Sequence, residues 1–165
     1  MQQLLPPLPL RYAMPAKNKL SLSVQFADRS LSEVITRPQI RRWVQAAQLA
    51  PAELTIRFVN ADEGRELNRD YRGKDYATNV LTFAYNDEDD EDTVRADIVL
   101  CADVLQREAE EQRLPLEQHA AHLVVHGVLH AQGYDHEDDD EAAEMEQLET
   151  EILAGLGIAD PYRDR

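Results

Sequence analysis

The sequence predicts an α+β fold: a mixed four-stranded sheet packed with helices, one of them central, buried and rich in histidine. Three observations lead there. Four short segments with strand character, residues 20–26, 54–58, 80–85 and 97–101, fall in the first two-thirds of the chain. Helical patterns separate and follow them. The stretch 115–132 is apolar on nearly every side, which marks a helix buried all round.

Taken in order, Leu20, Leu22, Val24 and Phe26 alternate with polar residues, as in a half-buried strand. Pro38 stands where a first helical turn begins, and Ile40, Trp43, Val44 and Ala47 follow at helical spacing. Leu54, Ile56 and Phe58 alternate again. Asn60 or Asp62 caps a helix that runs through Leu67 to about residue 71 and ends at Gly73. Residues 80–85 form the third strand, and the unbroken acidic run 87–92 is a solvated loop, too charged to pack. Residues 97–101 are more continuously apolar, which predicts a central strand. Residues 102–112 are helical in pattern. Pro115 then opens the buried helix, which stops at Gly133. The last helix carries Met145, Leu148, Ile152 and Leu156 on one stripe, with Gly155 and Gly157 near its end. No repeat or linker divides the chain, so residues 20–165 are predicted to be one domain behind an N-terminal tail, 1–19. That tail lacks a basic opening and its prolines interrupt a short apolar stretch, so it reads as a loosely docked tail and not as a signal peptide.

The 165 residues are enough to bury a core without staples. No apolar run approaches the ~18–20 residues of a membrane span. Cys101 is the only cysteine, which excludes an intrachain disulfide and fits a cytoplasmic location. The net charge of −15 argues against nonspecific binding to nucleic acid. Against that background Arg65, Arg69, Arg72 and Lys74 lie within one short stretch. They are a candidate anion site, or else ordinary surface charge.

Four of the five histidines, His119, His122, His126 and His130, lie in the buried helix and share one face of it. Unpaired imidazoles in an apolar helix are costly, and a metal ion would satisfy at least two. His126 and His130, one helical turn apart, can reach a single ion. After the turn at Gly133, His136 supplies a third ligand. Three neutral nitrogens leave one coordination position open for water, the mark of a catalytic zinc site, where the ion lowers the pKa of water toward ~7. His122 is a candidate contact to a ligand histidine or to substrate, and His119 is expected to face solvent. The spacing is similar to the zinc-protease signature His-Glu-x-x-His-x-x-Gly-x-x-His. Here Gly127 replaces the glutamate that serves as general base, which argues against peptide hydrolysis.

The segment His-Gly-Val-Leu-His-Ala-Gln-Gly-Tyr-Asp-His, residues 126–136, closely resembles the signature of the YbeY family of bacterial endoribonucleases. Residues 67–83, 96–101 and 157–162 support the likeness, which runs from about Leu20 to Tyr162. Ala96 stands where the family usually has glycine and Thr82 where serine is common, both small changes, and Asp97 is retained. The resemblance implies a metalloprotease-like fold and one zinc ion per chain held by His126, His130 and His136. It also implies a functional arginine, here Arg72, and single-stranded RNA as substrate. It further implies a role in late 16S rRNA 3′-end maturation and ribosome quality control on the small ribosomal subunit. The partners implied are a small-subunit ribosomal protein and an Era-type GTPase.

In such a site Arg72 would hold a phosphate through its guanidinium fork, with Lys74, Arg69 and Arg65 extending a positive path toward the metal. A salt bridge to an acidic neighbour is the alternative for Arg72. The general base is left open: zinc hydroxide would need none, Asp135 or His122 would assist as base, or Asp135 would hydrogen-bond a ligand histidine. Asn79 and Thr78 line the cleft or only cap a strand. The rival readings are a zinc peptidase or small-molecule hydrolase, and a non-catalytic ribosome assembly factor with structural zinc.

Overall fold

Period-2 alternation in β1 (Leu20–Phe26) puts Leu20, Leu22, Val24 and Phe26 on one face, each half-buried. The computed structural model describes residues 18–85 and 92–162. Apart from Asn18, Lys19 and Asp92, the expected N-terminal tail and acidic loop lie outside those residues. Strand β1 runs parallel to β2 (Ala52–Val59), with Leu20 opposite Ala52 and Phe26 opposite Phe58. The two phenylalanine rings stack at 5.0 Å.

Between them lies α1 (Arg37–Ala47). Thr36 caps it: its hydroxyl accepts from the Gln39 backbone N–H, and the Gln39 side chain accepts from the Thr36 N–H. Pro38 sits in the first turn, where its missing N–H costs nothing. Helix α2 (Ala61–Arg72) follows β2. Of the two expected caps, Asn60 does the work, accepting from Glu63 N–H at 2.8 Å. Gly73 ends the helix at φ 72°, a left-handed position that glycine adopts without strain.

Strands β3 (Val80–Tyr85) and β4 (Val94–Cys101) complete a mixed sheet in the order β1-β2-β4-β3. Strand β4 pairs parallel with β2 and antiparallel with β3. It is an inner strand, as its apolar run predicts, and it begins three residues earlier than the apolar pattern suggests because Val94 and Arg95 continue the pairing with β2. Helices α3 (Ala102–Gln112), α4 (Leu116–Ala131) and α5 (Asp139–Gly155) follow in sequence.

The two faces of the sheet are covered unequally. On one, α1, α4 and α5 enclose the main core, with Leu54, Ile56, Phe58, Ile98 and Leu100 meeting Val124, Val128, Leu129 and Leu153. On the other, α2 and its surroundings cover a small cluster of Val59, Leu81, Val99, Cys101 and Val104. Helix α4 packs against α1, α3, α5, β3 and β4, which accounts for apolar residues on most of its circumference. At Gly127 the helix comes so close to the sheet that an added Cβ would lie 2.8 Å from Ile98 Cγ2 and 3.4 Å from Thr82 Oγ1. The position that would carry a protease's glutamate therefore points into packed β-sheet.

Candidate metal centre

The end of α4 is fixed by Gln132. Its side chain donates to Ala47 O at 2.9 Å and accepts from Leu49 N–H at 2.7 Å, tying the helix terminus to the end of α1. Gly133 then takes φ 102° and the chain reverses, with Tyr134 N–H returning to Leu129 O. Asp135 Oδ1 accepts from the His136 backbone N–H at 2.7 Å, a local bond that holds the returning segment.

The result is convergence. One ring nitrogen from each of His126, His130 and His136 lies within 4.8 Å of the others. The ring centroids are 4.7 Å apart for His126 and His130, 4.9 Å for His130 and His136, and 5.7 Å for His126 and His136. The three sequence-predicted ligands are thus brought together, and one ion fits among them. The donor set suits a borderline ion such as zinc, with a position left for solvent or substrate.

Sequence reasoning missed the residue that orients this set. Glu149 on α5 is fully buried and accepts from His126 Nδ1–H at 2.7 Å and from His122 Nε2–H at 2.7 Å. The Tyr162 hydroxyl donates to the same carboxylate. With Nδ1 of His126 engaged, the lone pair available to a metal is on Nε2. Burial alone would raise the Glu149 carboxyl, but the hydrogen bonds and charge of His122 and His126 outweigh it and bring it down to about 2. Helical spacing held a signal for it. Glu149 directly follows Leu148 on a face with Met145 and Ile152, so it is an acid on the apolar side of an otherwise solvated acidic helix.

His130 has its protonation shifted the other way from a paired histidine. Burial first, then the proximity of His126 and His136, hold its pKa below the ordinary imidazole range, favouring the neutral form a metal requires. His122 does not reach the cleft's ligand cluster but supports it through Glu149. His119 corrects an expectation: it is 4% exposed, not solvent-facing, and its Nε2 lies 2.9 Å from Glu108 Oε1 on α3. Packing of α3 across α4 buries it.

The ligands form one wall of a cleft of about 550 Å³, whose other walls are Tyr71, Arg72, residues 78–83 and Asp135. Thr78 and Asn79 therefore line the cleft, and Asn79 also donates to Glu108 at 3.1 Å. The four basic residues of α2 and its exit separate by environment. Arg65 forks onto Asp75 at 2.7 and 2.9 Å, and Arg69 bonds Asp70 at 3.2 Å. Arg72 makes no ion pair among the described residues, and it is the one of the four that lines the cleft. Lys74 is exposed beyond the helix end.

Among curated proteins, the chain is 68% identical to a Janthinobacterium sp. (strain Marseille) protein over 149 residues, covering 90% of this chain and 98% of the relative. It is 65% identical over 151 residues to one from Herminiimonas arsenicoxydans, covering 88% and 97%. Both relatives are named endoribonuclease YbeY. A solution structure from Thermotoga maritima has the same fold, with a TM-score of 0.51 at 23% identity over 86% of this chain and 99% of that one. The sequence profile of the family described as endoribonuclease YbeY matches residues 15–157, and with that match the chain belongs to the YbeY family.

Proposed function

We propose that this chain is a zinc-dependent endoribonuclease that cuts single-stranded RNA. Its place would be late 16S rRNA 3′-end maturation and ribosome quality control in the cytoplasm, in one catalytic domain from residue 20 onward. The observation that carries the reading is the convergence of His126, His130 and His136 in a cleft that also holds an uncommitted arginine. Family membership gives the substrate class.

The three imidazoles would hold the ion, which when bound supplies activated water and Lewis acidity toward a phosphoryl oxygen. The chain's own groups do the rest. Glu149 keeps the His126 ring turned to the cleft. Arg72 offers a planar fork to the scissile phosphate and neutralises charge as it builds there. Arg65 and Arg69, occupied by Asp75 and Asp70, contribute at the margin, and Lys74 is free to follow the backbone. Asp135, which lines the cleft and accepts from the His136 backbone N–H, would take a proton or steady the loop that carries His136. The chain's net charge of −15 leaves RNA this local attachment, with a small-subunit ribosomal protein and an Era-type GTPase supplying further recognition.

The test is cleavage of single-stranded RNA, duplex RNA and casein, before and after chelation and zinc readdition. Single-stranded RNA is expected to be cut, to survive after chelation and to be cut again with zinc, while casein stays whole. Arg72→Ala is expected to keep its metal and lose roughly 10²–10³-fold in cleavage rate. Casein cleavage, or RNA cleavage indifferent to chelator, would overturn the reading. Intact metal with no RNA cleavage by the wild type would favour an assembly factor.

A further inference from the structure

Tyr71 is 69% exposed, the most exposed of the large hydrophobic side chains among the described residues. It occupies the last turn of α2, immediately before Arg72. Its ring meets Phe83 edge-on, with centroids 5.0 Å apart and planes at 64°. That contact fixes the ring at its edge while most of its surface stays open to solvent.

Tyr71 and Phe83 also share a second position in the architecture. They line the metal cleft and, on their other side, a cleft of about 430 Å³ over the thinly covered face of the sheet. There Arg57 bonds Glu63 and Gln25, and the exposed Tyr85 hydroxyl donates to Asp97 at 2.6 Å. The tyrosine–phenylalanine pair is thus the common wall between the two clefts.

We propose that Tyr71 is a stacking platform for an unpaired nucleobase of the RNA strand, the base flanking the phosphate that Arg72 holds. The proposal rests on the endoribonuclease reading above and adds how the strand is gripped. A chain with net charge −15 cannot gather RNA by general attraction, so charge-independent contacts have to carry more of the affinity. Stacking on an aromatic face does so for any base and requires the base to be unpaired. An exposed ring next to the phosphate-facing arginine, continuous with the metal cleft, meets that need. A duplex, whose bases are already stacked on each other, gains nothing from it.

Binding of a 2′-O-methyl RNA oligonucleotide, which resists cleavage, to the zinc-loaded protein tests this. Tyr71→Ala is expected to weaken binding about 5- to 100-fold, and Tyr71→Phe to bind as wild type. A series with one abasic nucleotide moved along the strand is expected to contain one position at which wild type and Tyr71→Ala bind alike. Equal affinity of Tyr71→Ala and wild type for the intact oligonucleotide overturns the platform and leaves the ring to a protein partner or a second copy of the chain. A loss that persists at every abasic position also overturns it, because the variant then acts through the fold. If wild-type protein binds no single strand at all, the endoribonuclease reading fails along with it.

Discussion

His119 and His130 stand at opposite ends of one row on α4, share a face of the same helix, and have opposite surroundings. His119 is met by a carboxylate: Glu108 from α3 takes its Nε2, and Asn79 completes the pair. The His119 hydrogen bond, opposed by burial and helped by Asn79, holds the Glu108 carboxyl below its ordinary range. His130 is met by other imidazoles, and its ring makes no hydrogen bond among the described residues. Proton binding is disfavoured there, and its lone pair stays available. His126 lies between and has one nitrogen in each kind of environment. The partner that a neighbouring helix brings decides whether a histidine in this row is a strut or a ligand.

Glu149→Gln should disturb this division most, because an amide both donates and accepts and so no longer fixes the His126 tautomer. Zinc affinity is expected to fall about 10- to 100-fold, measured by competition with a chromophoric chelator. Unchanged affinity would break the comparison. The same residue gives a pH signature. Its folded-state carboxyl sits at about 2 against an ordinary 4.5, so it stabilises the fold above pH 4.5, and that contribution disappears as pH falls toward 2. Metal-free wild type should lose stability over that window in denaturant titrations, and Glu149→Gln should show a flatter profile.

Next in size is Gly127→Ala, which pushes α4 off Ile98 on the ligand-bearing turn. A stability loss of about 1–3 kcal/mol is expected from chemical denaturation. An unperturbed variant would mean that the helix is free to shift, and the ligand geometry with it. The smallest effect is expected for His119→Leu, about 1 kcal/mol, since it removes one hydrogen bond while the Nδ1 atom, buried without a partner, has none to lose. Its zinc content should equal that of wild type. Metal loss in this variant would show the two ends of the row to be coupled.

The elements that local pattern controls were legible in the sequence. Alternation marked β1 and β2, Gly73 and Gly133 marked where two helices end, and the continuous apolar run of β4 marked an inner strand. His126, His130 and His136 could be read together because two are one helical turn apart and the third lies just beyond a glycine reversal. The histidine partners of Glu149 and Glu108 were not legible, since each acid reaches α4 from another helix across 23 and 11 residues of sequence. Without Glu108, His119 looks like a surface residue. The separation of Arg72 from Arg65 and Arg69 depended likewise on where Asp75 and Asp70 lie.

Zinc stoichiometry of purified wild type, His119→Leu and His130→Ala tests the central claim most directly. One ion per chain is expected for wild type and His119→Leu, and none for His130→Ala. One tightly held zinc in His130→Ala would contradict the assignment of the three converging imidazoles as the metal site.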